Sequence, residues 1–214
     1  MYLIVTRNFP PEVGGIQSVM GGLSKALSKY ELIKVFTYKH KNHTEFDNNV
    51  SFSIERIGGL KLFRKYRIAY LINEYLKKNK SVRAIIADHW KSLELIKSNK
   101  KKICLIHSKE INHQKGSRLN KKVLNVLNNV ECVVANSQYT KNLAIELGVN
   151  SEKVIVINPG IDPIKKIEKK YFDEAEKLLK NKKPRLITVS RFDKRKNHEK
   201  VIMALRNLKQ IYPN

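Results

Sequence analysis

A chain of 214 residues, 42% of them hydrophobic, has room for one large globular domain or for one domain and part of another. No apolar run approaches the roughly 18 residues of a membrane span, and the first one ends at Arg7, too short for a secretory signal. The formal net charge is +24, from 43 Lys and Arg against 19 Asp and Glu.

That charge favours anionic partners: nucleic acid, anionic lipid or phosphorylated small molecules. A compositional bias towards Lys, Asn and Ile accounts for it equally well. Cys104 and Cys132 lie in apolar segments and form no C-x-x-C, so they read as buried free thiols of a reducing, cytoplasmic compartment.

The chain opens with a short apolar strand over residues 3–6, followed at 9–27 by FPPEVGGIQSVMGGLSKAL. Pro10 and Pro11 stiffen the turn. Gly14 and Gly15 are expected to take backbone angles closed to other residues and to let a ligand approach the main chain. A helix over 16–30 follows, with Ile16, Val19, Met20, Leu23 and Leu27 on one face. Its N-terminus offers unpaired N–H groups to an anion such as phosphate, although a tight turn in any α/β protein looks the same.

Further strands are predicted at 32–37, 50–57, 83–87, 102–106, 132–135, 154–157 and 186–190. Helical periodicity recurs at 67–78, 92–97, 117–127, 137–147, 171–179 and 198–211. Short apolar strands alternating with helices indicate a doubly wound α/β fold, a parallel sheet covered on both faces. Ligands bind such sheets outside the carboxyl ends of the strands. Ionisable and polar residues gather there: Asp88 and His89 after the fourth strand, His107 after the fifth, Asn136 and Ser137 after the sixth, and Arg191 to Lys196 after the eighth.

Residues 60–80, LKLFRKYRIAYLINEYLKKNK, interleave apolar and aromatic residues with Lys61, Arg64, Lys65 and Arg67. Such a helix suits an anionic membrane surface, or else is an ordinary packing helix with a solvated face. From 162 to 184 the composition turns Lys-rich and reads as a connection, after which a new strand begins.

Several chemistries are excluded by missing motifs. There is no P-loop and no G-x-S-x-G elbow. H-E-x-x-H and paired C-x-x-C are absent and the 6 His are dispersed, which disfavours a metal. No D-x-D spacing occurs, and nucleic-acid modules leave no trace beyond the charge.

The remaining motifs resemble the N-terminal half of a family 4 glycosyltransferase with the GT-B fold. PPEVGGIQ at 10–17 resembles its first glycine loop, and IHSKE at 106–110 its histidine segment. ANSQYTK at 135–141 and VINPGID at 156–162 resemble the last turns of its N-terminal domain. SRFDKRKNH at 190–198 resembles the basic signature that opens its donor domain, with Ser190 and Asn197 where the family usually has glycine.

The resemblance implies an acceptor-binding Rossmann-like domain over 1–165, a linker with a helix over 166–183, and over 184–214 the first strand–turn–helix of an incomplete nucleotide-sugar domain. It implies sugar transfer from a nucleotide-sugar to a hydroxyl with retention of configuration and no obligatory metal or other cofactor.

By the same resemblance His107 touches the transferred sugar, while Arg191 and Lys196 stabilise charge on the leaving diphosphate. Gly14, Gly15 and Gln17 face diphosphate or acceptor, and Asp88, His89, Asn136 and Ser137 line the acceptor cleft. The family's two donor-gripping glutamates have no counterpart here, so this chain alone is expected to be inactive or to need a separate donor domain. The expected setting is glycoconjugate or polysaccharide synthesis in the cytoplasm, peripheral to the inner face of a membrane, with a lipid-linked acceptor as one option and no specific nucleic-acid partner. The alternative is a non-catalytic membrane-surface or scaffolding subunit of a split enzyme.

Overall fold

Seven short apolar strands build one all-parallel sheet in the order β3-β2-β1-β4-β5-β6-β7. They are β1 (Tyr2–Val5), β2 (Ile33–Tyr38), β3 (Ser53–Ile57), β4 (Ala84–Ala87), β5 (Lys101–Ile106), β6 (Cys132–Ala135) and β7 (Val154–Val156). The computed structural model describes residues 1–161, 166–179 and 185–212. The chain divides into two compact units, Met1–Asp162 and Pro163–Asn214.

In the first unit the crossovers carry α1 (Gly15–Leu27), α2 (His43–Asn48), α3 (Lys61–Lys78), α4 (Trp90–Leu93), α5 (Arg118–Leu127) and α6 (Gln138–Glu146). Alternate strand residues point to opposite faces. Leu3, Val5, Ile85, Cys104, Ile106 and Val133 pack against Ile72 of α3, Trp90 of α4, Val123 of α5 and Ala144 of α6. The other face is covered by α1 and Phe46 of α2, over Ile4, Val35 and Ile86.

That second face is less complete. Ile155 of β7 and Ile157 just after it are 45% and 56% exposed. Strand order reverses between β1 and β4, so the carboxyl ends of these two strands open the crevice where such sheets bind ligands.

Local chemistry sets the helix ends. Ser117 and Ser137 are N-caps, their hydroxyls accepting from the N–H of Asn120 and Thr140 at 3.2 Å in each case. Buried Asn120 ties α5 to the end of α6 by donating to the Leu147 carbonyl at 3.3 Å.

In the first unit two features depart from expectation. The polar helix α2 was not predicted, and the helix expected at 92–97 is instead the single turn of α4. Among the described residues no helix is long and apolar enough to cross a membrane.

The second unit contains α7 (Lys169–Leu179), a 3-10 turn at Lys194–Lys196 and α8 (His198–Ile211). The strand expected at 186–190 does not form, and Leu186, Ile187 and Val189 are 66%, 88% and 85% exposed. A strand exists only through a ladder to a neighbour, and the described residues of this unit supply none. The expected linker's residues 180–183 lie outside the described residues.

Candidate functional site

The switch in strand order is marked by a buried polar pair. One step past the Val5–Ala87 register pair, the Thr6 hydroxyl donates to Asp88 Oδ2 at 2.8 Å. Asp88 is only 2% exposed, and its Oδ1 has no partner among the described residues. Burial pushes its carboxyl up to about 6, against the Thr6 hydrogen bond and the Arg7 charge that favour ionisation.

His89 follows as the N-cap of α4. Its Nδ1 accepts from the Lys91 N–H at 3.0 Å, which fixes the proton on Nε2. Burial, aided by Arg7 and Lys91, pushes this imidazole down to about 3, so it is neutral across the physiological range.

His107 stands at the carboxyl end of β5, one step past the Ile106–Ala135 pair and thus beside Asn136 of the next strand. Its backbone N–H donates to Glu110 Oε1. The Glu110 carbonyl in turn accepts from Trp90 Nε1 at 2.9 Å, which holds the loop that carries both residues. Ser108 turns this loop at φ 79, a left-handed angle unusual for a residue with a side chain. His107 Nε2 is buried and unpartnered among the described residues. Burial lowers its pKa, and the Glu110 charge opposes that shift.

Asn136 and Ser137 are largely committed to capping α6. The Thr140 hydroxyl donates to Asn136 Oδ1 at 2.7 Å, while Ser137 receives the Thr140 N–H.

The glycine loop departs from its expected reason. Gly14 has φ 165 and ψ 164, extended backbone open to any residue. What requires glycine there is space, since a Cβ would lie 2.3 Å from Gln17 Oε1. Gln17 is accordingly buried and folded back on the loop rather than reaching outward. Gly15 is simply the first helical residue, with open space where a side chain would be.

Arg56 of β3 anchors this loop. Its guanidinium donates to the Pro10 carbonyl and, bidentately, to Asp47 of α2 at 2.8 and 2.7 Å.

Alternation places Thr6, Asp88, His107 and Asn136 on the α1 side of the sheet. There a groove of about 670 Å³ runs along β5 to β7. Ile103, Leu105 and Val134 form its floor, Ser18 and Gly22 of α1 line its wall, and His107 and Asn136 stand at its carboxyl end.

Arg191 and Lys196 belong to the second unit, where both are exposed and form no ion pair among the described residues. Their loop is ordered by neighbours. His198 Nε2 lies 2.9 Å from the Arg191 carbonyl, and its ring stacks on Phe192 at 4.9 Å. Asp193 caps the 3-10 turn and pairs with Arg195 at 2.8 Å, which holds its carboxyl well below the usual range.

The model of Glycosyltransferase Family 4 matches residues 13–165. The chain belongs to Glycosyltransferase Family 4. Its first unit has the fold of the N-terminal domain of GT-B glycosyltransferases. Anabaena Alr3699/HepE in complex with UDP-glucose superposes with TM-score 0.63 at 16% identity, over 83% of this chain and 50% of that one. Sucrose-phosphate synthase from Thermosynechococcus elongatus gives TM-score 0.64 at 18% identity, over 96% and 59%. A glycosyltransferase from Rickettsia africae gives 0.60 at 18%, over 83% and 49%. The chain therefore spans about half the length of these family-fold structures. A search of curated protein sequences gave no match.

Sequence reasoning singled out Asp88 and His107 but not the groups that hold them. Thr6 was readable only as the last polar residue of its strand. Glu110 stood in the IHSKE stretch without a stated role. Arg56 gave no local signal at all.

Proposed function

We propose that this chain supplies the acceptor-binding half of a retaining glycosyltransferase that moves a sugar from a nucleotide-sugar to a hydroxyl. The observation that carries the reading is the pair of buried, unpartnered atoms at the carboxyl edge, Asp88 Oδ1 at the switch point and His107 Nε2 at the end of β5. Leaving such a group unpaired costs about 1–3 kcal/mol, so a fold that retains two of them at a ligand crevice is built to pair them with a ligand.

In this reading Asp88 accepts a hydrogen bond from the acceptor hydroxyl. His107 Nε2 meets a hydroxyl of the transferred sugar. The anomeric carbon–oxygen bond to the diphosphate breaks as the acceptor oxygen bonds on the same face, and the acceptor proton leaves with the diphosphate oxygen. Negative charge develops on that diphosphate, and Arg191 and Lys196 are the cations assigned to it. The uridine nucleotides in the similar HepE structures support a nucleotide-sugar as donor. Synthesis of a glycoconjugate or polysaccharide, at the surface of a membrane, is the setting we assign.

Saturation-transfer NMR of the 214-residue chain against a panel of mono- and disaccharides tests the acceptor role. The expected outcome is sugar contact in the wild type that is lost in both Asp88→Asn and His107→Ala. Sugar contact that persists unchanged in both variants would remove these residues from the acceptor site.

A further inference from the structure

The sheet's carboxyl edge carries a second hollow, on the side opposite the groove. It has a volume of about 280 Å³ and lies between β1, α3 and the residues of α4. Its floor is apolar, with Val5 and Ile68. Its rim is cationic: Arg7, Lys61, Arg64, Lys65 and Lys91, together with Ser92.

Like charges gathered around one hollow repel, and the low-dielectric wall strengthens that repulsion. The protein relieves it only in part. Lys65 is paired with Glu94. Arg64 donates through Nε to the Gly59 carbonyl at 2.8 Å, with its guanidinium over the Tyr38 ring. Arg7, Lys61 and Lys91 form no ion pair among the described residues. The Ser92 hydroxyl is buried and without a hydrogen-bond partner among them. The rim thus offers donors and no carboxylate of its own.

We propose that this hollow is a binding site for a phosphate or diphosphate ester. A phosphate group presents several charged acceptor oxygens at once, which a ring of Lys and Arg donors and one hydroxyl satisfies together. The volume suits a headgroup rather than a whole sugar nucleotide. As the seat of a phosphate on the acceptor, the site rests on the transferase reading above. As a phosphate site it stands on the hollow itself, and its test below does not involve sugar transfer.

The ester has two possible sources, and α3 bears on which. Its core-facing stripe is Ile68, Ala69, Ile72 and Leu76. Tyr75 packs on the core, but Leu62, Phe63, Tyr66 and Tyr70 do not: they are 79%, 60%, 62% and 64% exposed. The packing-helix reading of residues 60–80 therefore accounts for one face only. An exposed apolar and aromatic stripe in the same turns as Lys61 and Arg64 fits a lipid-borne phosphate at a bilayer surface. A soluble phosphoester makes the same polar contacts without using the stripe.

Calorimetric titration with inorganic pyrophosphate is the first arm. We expect binding that weakens at least about tenfold in Lys61→Ala/Lys91→Ala, the loss of two charge-assisted contacts. It should change little in Lys25→Ala/Lys29→Ala, which removes the same charge from exposed positions in the last turn of α1 and just beyond it. Equal losses in the two double variants, or none in the first, would overturn the site and leave diffuse attraction to a +24 protein. Circular dichroism checks that each variant is folded.

The second arm is flotation with phosphatidylcholine vesicles with and without phosphatidic acid. A lipid source requires vesicle binding that is lost in Lys61→Ala/Lys91→Ala and also in Leu62→Ser/Tyr66→Ser, with pyrophosphate affinity intact in the latter. Pyrophosphate binding with no flotation supports the site and assigns it to a soluble phosphoester.

Discussion

The two hollows at the carboxyl edge are made from neighbouring residues and have opposite chemistry. Val5 and Arg7 line the basic one, while Thr6 between them turns to Asp88 on the other side. The groove is large and mostly apolar, with His107 and Asn136 at its carboxyl end and Ser18 and Asn158 among its other lining residues. The basic hollow is less than half the volume and is ringed by cations. A parallel sheet delivers both because strand residues alternate in direction, so one edge serves two faces. The difference teaches that net charge and site charge are separate matters in this protein. The groove side holds an aspartate against the cationic field, whereas the other side concentrates that field.

The largest expected effect comes from cutting the anchor of the groove side. The Arg56 side chain is 3% exposed and binds Asp47 and the Pro10 carbonyl together. Arg56→Ala removes the hydrogen bonds of the guanidinium, leaving the Pro10 carbonyl without this donor and partly exposed Asp47 with His43 at 3.0 Å, a loss of about 3 kcal/mol. Urea unfolding should show that loss. Pyrophosphate affinity of the folded fraction should be unchanged, because the basic hollow shares none of these contacts. A parallel loss of pyrophosphate binding would mean that the two sides are one cooperative site.

The second test depends on pH. Asp88 has its pKa raised from 3.8 to about 6 in the folded state, so the folded protein binds the extra proton between those values. Its contribution to stability is complete below pH 4 and is lost as pH rises through 6, a fall of about 3 kcal/mol. His89 acts in the other direction. Its pKa is depressed from 6.5 to about 3, so its contribution is present above 6.5 and is lost as pH falls towards 3. The two slopes oppose each other in the wild type. Asp88→Asn should remove the falling one, leave stability rising from pH 4 to 6, and make the protein more stable than wild type at pH 7. Denaturant midpoints across that range measure it, and an unchanged profile would mean that Asp88 is not buried as an acid.

Much of the fold was legible because strands buried on both faces leave continuous apolar runs, as CVVA and AIIA do at β6 and β4. The groups at strand ends were legible for the same reason: Asp88 and His107 interrupt such runs. The polar turn of α2 was not, since one apolar contact, Phe46, carries it and no period announces it. The run at 186–190 looked like a strand but has no partner among the described residues, a fact that no local pattern reveals. The basic hollow was hidden by distance along the chain. Arg7, Lys61 and Lys91 meet only because α3 and α4 cross beside β1. Gly14 was identified as special, but for its backbone angles rather than for the space beside it.

Glycines in and beside α1 give the finest measure of the groove side. A Cβ on Gly14 would meet Gln17 Oε1 at 2.3 Å, whereas one on Gly22 meets nothing within 4 Å. Gly14→Ala must therefore displace a buried amide, an overpacking of about 1 kcal/mol. Adding Gln17→Ala should recover that part of the loss, because the clashing atoms are gone. Gly22→Ala has no clash to relieve and gains helix propensity, so it should stabilise the protein by about 0.5–1 kcal/mol. The opposite signs follow from one geometry, in which Gly14 is packed against Gln17 while Gly22 faces open space. Destabilisation by Gly22→Ala would show that something already fills the groove at that turn.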